Sequence, residues 1–130
     1  MKRWSAPVFW LLGLANLANG LWMLLAPEHW FLNLPAGVPD TGPFNQHFVR
    51  DVGAAFATLG VAFLAAARDP RAQRGVLLGG ALFYALHAFV HVADLITGRL
   101  HATHWGMDLP GVFLPAVLLM ILAVRWPAAR

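Results

Sequence analysis

Four stretches of this chain, residues 5–26, 48–67, 75–97 and 109–124, are apolar almost from end to end. No other feature restricts the possible folds so strongly. A bilayer core of roughly 30 Å is crossed by about 20 helical residues at a rise near 1.5 Å each, and the first three stretches reach that length. The fourth is the shortest. Pro110 stands where a helix comfortably starts, and Pro115 within the run is expected to bend it slightly. The connecting segments have turn chemistry: a Pro/Gly-rich loop over 34–43, the charged turn RDPRAQR over 68–74, and GRLHATHWGMD over 98–108. No strand-like alternation or internal repeat competes with this reading.

Composition points to the same solvent. Of 130 residues, 59% are hydrophobic and only 12% charged, whereas a soluble domain carries about 25% charged residues. One water-soluble domain of this length lacks the interior to hide so many apolar side chains. The net charge is only +3 and the basic residues do not cluster among polar ones, so nucleic acid is not an expected partner. The absence of cysteine excludes disulfides, thiolate metal sites and cysteine nucleophiles. The expected fold is all-α, an integral membrane four-helix bundle with residues 1–130 as a single transmembrane domain. The MKRW start followed by apolar sequence also fits a signal peptide. The run is long for one and LANLANG is an indifferent cleavage site, so the segment reads as the first transmembrane helix.

Basic residues orient the bundle. Lys2, Arg3, Arg68, Arg71, Arg74, Arg125 and Arg130 fall on one side, against Arg50 and Arg99 on the other. The positive-inside bias then places both termini and the middle turn in the cytoplasm, as for a multi-pass protein of the bacterial inner membrane. Trp4 and Trp126 would mark the inner interface, Trp30 and Trp105 the outer one.

The polar chemistry is loaded outward in this topology. His29, His47, His87, His91, His101 and His104 all lie in the outer half or outer loops, and so do Glu28, Asp40, Asp51, Asp94 and Asp108; only Asp69 lies inside. In HAFVHVAD (residues 87–94), His87, His91 and Asp94 recur at i, i+4 and i+7 and share one helix face. With His87 near the midplane, His91 lies about 7 Å and Asp94 about 12 Å further out, level with Asp51 at about 10 Å on the second helix. Asn16 and Asn19 on the first helix, His47 and Arg50 on the second, and Tyr84 on the third would complete a polar cavity that binds substrate. Ionisable groups within a span are expensive, about 2.5–3.5 kcal/mol each at the centre, and are read by default as functional.

Histidines four apart on a helix can chelate one ion. His87, His91, Asp94 and Asp51 therefore form a candidate transition-metal set suited to zinc, iron or copper. Ala88, Phe89 and Val90 occupy the positions between the histidines, so the glutamate of a zinc-protease HExxH helix is missing. The competing structural reading is that these groups only bind helices together, at roughly 0.6–2 kcal/mol each. His101 and His104 read as solvated loop residues. Haem is disfavoured, because two histidines four apart on one helix cannot take opposite faces of one macrocycle. A metal-free acid–base site stays open, since a buried histidine beside a carboxylate has the elements of a proton shuttle; His91, Asp94 and Asp51 are its candidate catalytic groups.

The segment FNQHFVRDVGAAFATLGVAFLAA (residues 44–66), followed by a basic turn and a histidine-bearing third helix, resembles small bacterial four-helix membrane proteins of the DoxX-like group. Some members of that group resemble subunits of quinone-linked oxidoreductases. The resemblance makes His47, Arg50 and Asp51 the motif residues, and it implies an architecture rather than a reaction. The functional expectation is an outward-facing His/Asp site acting on a lipophilic, quinone- or isoprenoid-like molecule, as a membrane oxidoreductase or an acid–base isomerase. The alternatives are a proton- or ion-coupled transport module and an accessory subunit of a larger membrane complex, with homo-oligomerisation open. The inner half of the spans offers almost nothing polar, which favours a dead-end cavity over a transport route.

Overall fold

The structure, a computed structural model, describes residues 5–69 and 72–126. Lys2, Arg3, Trp4, Arg71 and Arg130, which carry part of the orientation reading, lie outside the described residues. All regular structure among the described residues is helical. The elements are α1 (Ser5–Leu25), α2 (Pro27–Asn33), a 3-10 turn (Val38–Thr41), α3 (Gln46–Arg68), α4 (Gln73–Ile96), α5 (His104–Met107), a π turn (Leu109–Phe113) and α6 (Leu114–Val124). They group into two compact units, the first reaching Gln73 and the second starting at Arg74.

Three helices, Ala6–Leu25, Gln46–Arg68 and Gln73–Ile96, are long and apolar enough to cross a membrane, and Leu109–Val124 is a shorter apolar helical stretch. Their surfaces are greasy. Leu25, Phe48, Phe89, Ile96 and Val124 are each at least 65% exposed, an arrangement that water penalises and lipid does not.

In the first unit, α1 and α3 are antiparallel and lie backbone to backbone. Gly13 and Gly20 on α1, and Gly53 and Gly60 on α3, each recur after seven residues and so stay on one seam. A Cβ added at Gly20 would lie 2.4 Å from the Ala57 nitrogen, and one at Gly60 would lie 2.5 Å from the Leu17 nitrogen. Small residues permit this approach, which replaces the hydrophobic force that lipid removes. Gly79 on α4 is different: it is exposed, with nothing within 4 Å of an added Cβ. Phe9 and Phe63 stack at 5.9 Å between ring centroids further along the seam, and the Arg68 guanidinium caps the Trp10 ring at 4.5 Å.

Asn45 starts α3 by accepting the Phe48 N–H on its side chain at 3.1 Å, an N-cap two residues earlier than the apolar run alone indicated. Pro27 ends α1, because it has no N–H to continue the ladder and is suited to the first position of a new helix. The resulting α2 was not expected from sequence. It turns Trp30 inward, where the indole N–H donates to the Asn19 side-chain oxygen at 2.8 Å. Trp30 is thus a buried strut between α2 and α1.

In the second unit, α4 ends in a left-handed glycine cap: Gly98 has φ 71°, and the Arg99 N–H reaches back to the Asp94 carbonyl at 2.9 Å. The fourth apolar run opens in a π turn over Leu109–Phe113 before α6. Pro115 explains it, since the ring has no N–H for the Gly111 carbonyl and would collide with it in a regular α turn. The slight bend expected at Pro115 takes the form of this widened turn.

Candidate functional site

α4 presents Phe83, His87 and His91 at i, i+4 and i+8, one above another. The Phe83 and His87 rings stack at 6.0 Å with 17° between planes. His87 and His91 meet at 4.8 Å with 69° between planes. Tyr84 is buried and sets its ring edge-on to Phe83 at 5.5 Å.

The carboxylate that serves this stripe comes from a segment read as loop. After the Gly98 cap the chain turns back through α5, and Asp108 at its C-terminal end places Oδ2 at 2.8 Å from His91 Nδ1. The same oxygen lies 3.6 Å from His104 Nδ1. Asp108 is 1% exposed and His104 0%, while the His91 side chain keeps 19%. His104, expected to be solvated, is among the most buried polar residues of the chain. One signal was available in sequence: His104 and Asp108 in HWGMD have the i, i+4 spacing that puts them on one helical face.

A buried carboxylate is expensive unless it is paired and hydrogen-bonded. When ionised it only accepts, and in that state His91 Nδ1 is the donor of the contact. That bond fixes the ring orientation and leaves Nε2 as the nitrogen able to take or give a proton. The arrangement has the parts of an acid–base dyad: an oriented imidazole, a carboxylate that stabilises its charged form, and one partly exposed face.

The other candidate residues are distributed as follows. Asp94 turns its carboxylate to Arg99 Nη1 at 3.3 Å, at the end of α4. Asp51 is in the first unit and pairs with His47 Nε2 at 3.3 Å, with side chains 67% and 88% exposed. Arg50 donates from Nε to the Leu24 carbonyl at 3.2 Å. Asn16 is buried and donates to the Leu12 carbonyl of its own helix at 2.8 Å, and Asn19 accepts from Trp30. Of the four residues read as metal ligands, His87 and His91 are brought together, whereas the Asp94 and Asp51 carboxylates are held by Arg99 and His47. Among the described residues no group of three His, Cys, Asp or Glu side chains is arranged to hold a metal ion.

No family model, curated protein or solved structure matches the chain.

Proposed function

We propose that this chain is a multi-pass protein of the bacterial inner membrane, a DoxX-like four-helix bundle with both termini in the cytoplasm. In this reading its outer half carries an acid–base site, built on His91 and Asp108, that acts on a lipophilic molecule of quinone- or isoprenoid-like character. Three helices of spanning length with exposed apolar faces support the membrane part. The bias of basic residues supports the orientation. The single observation that carries the chemistry is the 2.8 Å contact between His91 Nδ1 and a carboxylate that is 99% buried.

In this reading His91 Nε2 takes a proton from an O–H or an acidic C–H of the bound molecule and returns it, while Asp108 stabilises the imidazolium. The Phe83–His87 stack beside it supplies a flat apolar wall against which a conjugated head group would lie.

Extraction of purified full-length protein with organic solvent tests the proposal. Mass spectrometry is expected to find one lipophile enriched over the bulk membrane extract. His91→Gln is expected to lose it or to retain it unprocessed. An extract matching bulk lipid in wild type and variant alike would overturn the reading.

A further inference from the structure

The first unit carries a charged feature of its own, at the other end of α1 from the Trp30 strut. Arg68 closes α3, and its guanidinium carbon lies 4.5 Å from the centroid of the Trp10 ring on α1. Part of the reason is structural. A cation at a helix C-terminus complements the macrodipole, and an indole face attracts it. Neither attraction uses the N–H edge of the guanidinium, because the five N–H groups lie in the plane of the fork while the ring meets its face. Among the described residues Arg68 makes no hydrogen bond or ion pair. The edge that matches two oxygens of one anion is therefore open.

What lies beside this cation narrows the choice of anion. Leu14 stands one turn from Trp10 on α1, and Ala65 and Val61 stand about one and two turns from Arg68 on α3; all three are exposed. Spacings of three, four and seven keep them on the helix faces that carry Trp10 and Arg68. The cation thus heads an exposed apolar strip that runs toward the middle of both spans. A free inorganic anion would engage the cation and leave the strip bare, whereas an amphiphile covers both. The charge of the neighbourhood has the same sign, since the turn RDPRAQR holds three arginines against one aspartate. A headgroup with its own ammonium would seek an aromatic face, and the Trp10 face is already covered by Arg68.

We infer that Arg68 and Trp10 form the seat of an anionic phospholipid, with its phosphate diester on the Arg68 N–H edge and an acyl chain along Leu14, Ala65 and Val61. This rests on the membrane part of the reading above and is independent of the His91–Asp108 chemistry. With the orientation given by the basic residues, the lipid belongs to the cytoplasmic leaflet.

The test uses delipidated full-length protein in neutral detergent, titrated with phosphatidylglycerol or with phosphatidylcholine of the same acyl chains. Native mass spectrometry counts the bound lipid. Arg68→Gln is expected to weaken phosphatidylglycerol binding about fivefold, the contribution of one arginine at a membrane surface, and to change phosphatidylcholine binding far less. Arg99→Gln, which removes a cation from the other unit, should leave both unchanged. Equal affinities for the two lipids in wild type, or an equal loss of both in Arg68→Gln, would reduce Arg68 to a partner of Trp10 and overturn the inference. Inorganic phosphate bound as tightly as the lipid would overturn it too. Should Arg68→Gln fail to fold, wild-type protein and a photoreactive phosphatidylglycerol decide the matter: peptides containing residues 10–14 and 61–68 should be labelled, and unlabelled phosphatidylglycerol should suppress the labelling where phosphatidylcholine does not. Labelling confined to other segments would refute the seat. Release of the chain from membranes by alkaline carbonate would sink the membrane reading and this inference together; retention without a lipid preference would sink the inference alone.

Discussion

The close approach of α1 and α3 leads to a sharp contrast between two glycine-to-alanine substitutions. At Gly20, the new methyl would lie 2.4 Å from the Ala57 nitrogen, 2.6 Å from the Gly53 oxygen and 2.8 Å from the Ala57 Cα. Ordinary carbon contacts begin near 3.5 Å, so the helices must part by about 1 Å, enough to forfeit much of the dispersion attraction along the seam. All three obstructing atoms are backbone and cannot rotate away. Overpacking of this kind costs about 1–3 kcal/mol, and the better helix propensity of alanine returns about 1 kcal/mol. With a backbone obstruction the upper part of that range applies, leaving Gly20→Ala about 2 kcal/mol less stable. At Gly79 nothing lies within 4 Å of the added methyl, so only the propensity gain of up to about 1 kcal/mol remains. The two variants should differ by about 3 kcal/mol. Denaturant unfolding of the full chain in detergent, followed by helical circular dichroism, measures the difference. If Gly20→Ala is no less stable than Gly79→Ala, the glycine-seam account of the first unit is wrong.

Other expectations concern topology, the α2 strut and the metal question. A reporter fused after Arg130 should be active only in the cytoplasm, and one inserted in the 34–43 loop only outside; the opposite pattern would invert the orientation. Trp30→Phe removes the indole donor from the Asn19 oxygen and should cost about 1 kcal/mol in the same unfolding assay, because a part-buried acceptor loses its partner. Asn45→Ala should cost about 1 kcal/mol by removing the cap of α3, with no change in spectrum at the native baseline. Elemental analysis should find less than one equivalent of zinc, iron or copper, since the carboxylates of Asp94 and Asp51 are already held by Arg99 and His47. One equivalent of metal that disappears in His87→Ala would refute that and restore the chelate reading of the histidine pair.

Much of the architecture was written in the order of residues. Long apolar runs need no distant partner to specify a helix, since length and hydropathy are local quantities, and α1, α3 and α4 fall within two residues of the runs at their described ends. Helical periodicity likewise placed His87 and His91 on one face before any packing was known. What periodicity cannot state is what that face will meet. The partner of His91 is Asp108, 17 residues on, delivered by a path that depends on the left-handed turn at Gly98 and a short helix. The nearer carboxylate, Asp94, was claimed instead by an arginine just beyond the cap. Trp30 tells the same story on a smaller scale: its aromatic character named no partner, and the turn at Pro27 set the ring onto Asn19. Local rules assign faces and ends. Only the course of the connecting segments decided which charged groups would share an interior, because the desolvation that makes Asp108 and His104 chemically significant exists only once those segments have folded back.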